Sequence, residues 1–140
     1  MKNKKMLILR FVILVILVIL CCLLAKFFQM KKDKDTMLNE YSEIFELLKE
    51  YSFDTADIKD SKIYLYDSNQ KLTNEIEVEN IHAKVMYIQN RESNMIFWYK
   101  GFDDLEGIMF IKNSWEDDVW NGLMRIEKFR GNAYIVYSTL

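Results

Sequence analysis

The 140-residue sequence contains no proline, four glycines, two cysteines and a single histidine. Each scarcity removes a class of protein. The two cysteines, Cys21 and Cys22, are adjacent and sit in an apolar run, so the remainder of the chain must hold together without disulfides. One histidine, His82, cannot build a metal site or a catalytic triad unaided, and reads as an ordinary strand position. No G-x-S-x-G, P-loop or H-E-x-x-H pattern occurs. Two carboxylates alone can hydrolyse glycosides, but nothing here singles out a pair. The expectation is a protein that is not an enzyme, with no cofactor and no metal ligands. There is no internal repeat and no low-complexity segment.

What the sequence has instead is a long apolar run. From Phe11 to Ala25 there is no charge, no amide, no glycine and no proline, and Met6 to Leu9 adds four more apolar residues before Arg10. Residues 6–25 number twenty, and a helix of about twenty residues at 1.5 Å each crosses the ~30 Å hydrocarbon core. A single span must satisfy its own backbone in lipid, so it is helical despite its Val and Ile. The Arg10 stem is long enough to carry its charge to the headgroups. Residues 1–5 therefore read as a basic tail, 6–25 as a transmembrane signal anchor, 26–35 as a basic juxtamembrane linker and 36–140 as a soluble domain. A cleaved signal, releasing a secreted domain, is the alternative. Against it, the run exceeds the usual h-region, and Leu23 would occupy the −3 position before Ala25. A lipoprotein signal fits poorly, because large Leu20 precedes Cys21. The cysteines read as small apolar residues in lipid in preference to S-acylation sites.

Four basic residues (Lys2, Lys4, Lys5, Arg10) precede the run and four (Lys26, Lys31, Lys32, Lys34) follow it. The early position of the anchor and its basic start favour a cytoplasmic N-terminus and an outward domain. Residues 1–35 carry a net charge of +6 and residues 36–140 a net charge of −8. The basic segment suits anionic lipid, making the bilayer a partner. The acidic domain argues against nucleic acid.

In residues 36–51, Met37, Leu38, Tyr41, Ile44, Phe45, Leu48 and Tyr51 recur at three- and four-residue steps, while glutamates take the opposite side. This spacing predicts an amphipathic helix with one face to bury. Its acidic polar side rules out a helix lying on the membrane. Residues 52–61 read as a polar loop. The period then changes to two, and strands are expected at 62–66, 72–78, 81–89, 95–100, 108–112, 123–129 and 133–138. Residues 102–107 read as a connection and 113–122 as the longest loop. The predicted fold class is α+β: an N-terminal transmembrane helix, then one amphipathic helix packed on an antiparallel β-meander of about seven strands.

Acids cluster at Asp103, Asp104 and Glu106 and at Glu116, Asp117 and Asp118, in two predicted loops. Their spacing matches no EF-hand, so solvated loop charge is favoured over calcium. Trp98, Trp115 and Trp120 lie near them in sequence. Strand alternation places Phe97 and Tyr99 on one side and Trp98 on the other. Exposed Trp beside carboxylates would make an interaction patch of Trp98, Trp115, Trp120, Asp103, Asp104, Glu116, Asp117 and Asp118. The competing and preferred reading is that the rings close the open end of the core.

An apolar N-terminal helix, a helical stem and an antiparallel sheet together resemble the type IV pilins and pseudopilins. Their processing site needs a small residue before the run and a Glu soon after it, where this sequence has Lys5 and Arg10. The resemblance therefore supplies only a secondary expectation, a pilin-like or secretion-apparatus component. The primary expectation is a membrane-anchored, extracytoplasmic, non-catalytic interaction module that binds a protein or another cell-envelope partner.

Overall fold

A computed structural model describes residues 2–79, 81, 84–101, 104–113 and 122–139, with the backbone alone over residues 2–9. The chain divides into two compact units, Met1–Met37 and Leu38–Leu140. Among the described residues there are one helix and eight strands.

The helix, α1, runs Lys2–Leu48. The expected span, linker and amphipathic helix are thus parts of one element, and it stops at Leu48, not at Tyr51. No glycine or proline interrupts residues 26–35. The Gln29 amide donates to Asp33 at 2.9 Å, a pairing one turn apart that supports the helix there. The Thr36 hydroxyl donates back to the Lys32 carbonyl at 3.0 Å. Within the first unit, α1 is long and apolar enough to cross a membrane. Its large apolar side chains from Phe11 to Leu24 are 40–66% exposed all round the helix.

In the second unit the strands are β1 (Thr55–Lys59), β2 (Lys62–Tyr66), β3 (Leu72–Glu77), β4 (Tyr87–Asn90), β5 (Asn94–Lys100), β6 (Asp104–Ile111), β7 (Arg125–Arg130) and β8 (Ala133–Thr139). They form one antiparallel sheet in the order β3-β2-β1-β4-β5-β6-β8-β7. The α+β class holds, with eight strands where about seven were expected, and the strand expected at 81–89 begins only at Tyr87. Three further corrections concern the segments and the order. The segment expected as a polar loop at 52–61 contains β1. The connection expected at 102–107 belongs in its described part to β6. The order is not a plain meander, since β4 returns to lie beside β1, and β8 inserts between β6 and β7.

The sheet has two unlike faces. On one, the row Leu65, Ala56, Ile88, Phe97, Ile108, Ile135 crosses six strands. Leu38, Tyr41, Ile44, Phe45 and Leu48 of α1 are buried against this helix face. Tyr41 stacks on Phe97 with centroids 5.1 Å apart, and Phe45 on Phe110 at 5.0 Å. Phe97 meets Phe110 edge-on at 5.5 Å. Aromatic pairs at such separations add to the burial itself. The far face has a smaller core of Ile96, Trp98, Leu105, Met109 and Val136, ringed by Tyr87, Ile111, Leu123, Ile126 and Tyr134. It is confined to β4–β8. Over β1–β3 the same face carries Asp57, Tyr64 and Glu75.

Candidate interaction surfaces

Two residues of the expected patch, Trp98 and Asp104, lie among those described. Asp103, Trp115, Glu116, Asp117, Asp118 and Trp120 lie outside them, as does His82. Trp98 is only 2% exposed. Its indole sits on the far face over Gly107, tilted against Tyr87 at 6.3 Å, and its Nε1 donates to Gln89 Oε1 at 3.3 Å. It is a core side chain and does not offer a ring to the surface. Asp104 opens β6 opposite Thr139, with its side chain in solvent. A buried ring and an exposed carboxylate form no shared patch.

Three other surfaces are defined by the described residues. The first is a tyrosine–carboxylate cluster on the helix face. Tyr99 donates to Glu106 Oε1 at 2.6 Å, Lys100 reaches Glu106 Oε2 at 3.5 Å, and the Tyr41 ring lies 6.4 Å from Tyr99. Tyr41 donates to the Lys84 carbonyl at 3.1 Å. Burial, then the bond to Glu106 and that carboxylate's charge, push the Tyr99 hydroxyl far above its ordinary range. Burial, then the charge of Glu40, do the same for Tyr41. Both hydroxyls stay neutral donors at physiological pH, and the Tyr99–Glu106 bond ties β5 to β6.

The second surface is a shallow groove of about 180 Å³ bounded by Glu40, Glu43, Ile44, Leu47, Val78, Glu79 and Ile81. Four aliphatic side chains and three carboxylates line it. Among the described residues, no group of three or more His, Cys, Asp or Glu is placed to hold a metal ion.

The third comprises the two edges of the sheet. β3 carries Glu75 and Glu77 and no cation, whereas β7 carries Arg125, Lys128 and Arg130 against one acid, Glu127. Among the described residues, no strand pairs with the outer side of either. Sequence reasoning missed this polarity. The charges of each segment are plain in the sequence, but the strand order that sends both segments to the edges is not.

Compared with protein-family models, curated proteins and solved structures, the chain matches none of them. The class supported is an α+β domain preceded by a helix fit to span a membrane.

Proposed function

We propose that the chain is a single-pass membrane protein whose outward domain binds another macromolecule at the cell envelope and does no chemistry itself. The observation that carries this reading is the apolar stretch of α1. A helix that is apolar all round and uncovered is stable in lipid and a liability in water. The membrane supplies the missing burial, about 25 cal/mol for each Å² removed from water. Lys2, Lys4 and Lys5 ahead of the run support a cytoplasmic N-terminus, in the manner of a signal anchor. Support for an interaction role comes from the open, charged sheet edges and the acidic groove.

Carbonate washing of membranes tests the anchor. The full chain is expected to stay in the pellet with a mature N-terminus at Met1 or Lys2. A mature start near Lys26 would replace the anchor with a cleaved signal and a secreted domain. Purification from detergent then separates an envelope partner from a pilin-like or secretion assembly.

A further inference from the structure

Every adjacent pair of strands in the sheet is antiparallel. Strand direction alternates across β3-β2-β1-β4-β5-β6-β8-β7, and with an even number of strands the two edges run in opposite directions. A second copy of the chain, shifted sideways without rotation, therefore brings its β3 antiparallel to the first copy's β7. The like faces of the two sheets also stay together. That is the geometry needed to continue an antiparallel ladder. Pairing an edge with its own kind, antiparallel and with faces matched, requires instead a half-turn about the sheet normal.

Charge selects between these arrangements. Pairing β3 with β3 sets Glu75 and Glu77 against the same acids, and pairing β7 with β7 sets cations against cations. Like charges across a strand pair destabilise it and opposite charges stabilise it. The unlike pairing also matches on the far face. Glu75 lies there opposite Tyr64, and Glu77 opposite Lys62. Lys128 lies there too, opposite Tyr134, with its ammonium 5.3 Å from that ring's centroid. Lys62 contacts Glu75 and reaches Glu77 at 3.8 Å, but the Glu77 side chain remains 85% exposed. Arg125, opposite Tyr137 on the helix face and paired with Glu127, adds to the positive charge of its edge without facing these acids directly. Charged edges commonly guard a sheet against stray pairing. Edges of opposite sign guard against like pairing only.

We propose that the domain self-associates head to tail, β7 of one copy adding to β3 of the next. Such a contact is heterologous and does not close on itself, so it builds open strings. The proposal goes beyond the anchor reading and holds whichever side of the membrane the domain occupies.

The test uses the full chain in liposomes, mixed equally from unlabelled and ¹⁵N-labelled protein. A zero-length carbodiimide joins carboxylates to amines in contact. Mixed-isotope peptides linking Glu75 or Glu77 to Lys128 are expected. Lys128→Arg should abolish that link while leaving association in place. A Glu75→Lys/Glu77→Lys chain has two basic edges, and an Arg125→Glu/Lys128→Glu chain two acidic ones. Each alone should lose association at least tenfold, and mixing the two should restore it. Restoration also shows that both variants fold. A monomeric wild-type chain, intermolecular links only between other residues, or variants that associate alone as wild type does would overturn the proposal. None of these results would touch the anchor reading.

Discussion

Gly107 leaves room for the indole of Trp98. A methyl group at residue 107 would lie 2.9 Å from Trp98 Cε3 and 2.9 Å from the Phe97 carbonyl oxygen, with Ile96 Cγ2 at 3.2 Å. The two residues are register partners on β5 and β6, so the ring needs the hydrogen opposite it. Gly107→Ala should cost about 1–3 kcal/mol, because backbone and not merely a side-chain tip obstructs the new methyl. The melting temperature of a fragment beginning at Asp35 should fall, and its near-ultraviolet circular dichroism should change with the displaced indole. An unchanged melt would mean that Trp98 does not pack there.

Phe45 occupies the middle of the buried stripe of α1, stacked at 15° on Phe110. Truncating such a ring costs ~3–5 kcal/mol. For a domain of about a hundred residues, each kcal/mol shifts the melting temperature by roughly 4–8 °C. Phe45→Ala should therefore lower the midpoint of the same fragment by more than ten degrees or so. Glu43→Ala, at an exposed position, should move it little. Equal effects would mean that this end of α1 does not pack on the sheet.

The hairpin joining β1 to β2 turns on Asp60 and Ser61, with φ of 50° and 61°. A two-residue turn with both centres in the left-handed region normally carries Asn-Gly. Non-glycine residues are strained there by about 1–2 kcal/mol each, less for Asp. Replacing the pair with Asn-Gly should stabilise the fragment by ~1 kcal/mol, read as a higher melting midpoint. A lower midpoint would show that Asp60 or Ser61 makes a contact that offsets the strain.

This turn also explains why β1 was not legible in the sequence. Residues 52–61 hold three aspartates and the turn lacks its usual glycine, so the segment reads as a loop. Yet Ala56 and Ile58 alternate correctly, and Ala56 is fully buried between Leu65 and Ile88. A small residue gives little hydrophobic signal even when packing uses every atom of it. The apolar run, the stripe from Leu38 to Leu48, and β2, β3, β5 and β8 were all legible, because apolar and β-branched residues mark each of them locally. The two sides of β5 were legible as well, with Phe97 towards the helix and Trp98 away from it. The burial of Trp98 depends on Gly107 and on rings from other strands. The opposed edge charges depend on strand order, which no local pattern encodes.

Alkaline titration reports on Tyr41 and Tyr99. Their folded-state values are raised by burial above the ordinary 10.0. The folded state therefore holds these protons more tightly than the unfolded chain does. This contribution is complete below about pH 10 and is lost as pH climbs from there through the raised folded values. Stability of the fragment should decline above about pH 10, and Tyr99→Phe should make the decline shallower. An alkaline limb unchanged by Tyr41→Phe and by Tyr99→Phe would contradict their burial.

The central claim, an anchored domain facing outward, is tested most directly by adding protease to intact cells and sequencing what stays in the membrane. The account predicts a retained N-terminal peptide that contains residues 6–25, with the segment beyond α1 digested from outside. A full-length chain that is cut only after lysis would place the domain inside. A membrane with no retained N-terminal peptide would mean that the apolar run is not an anchor.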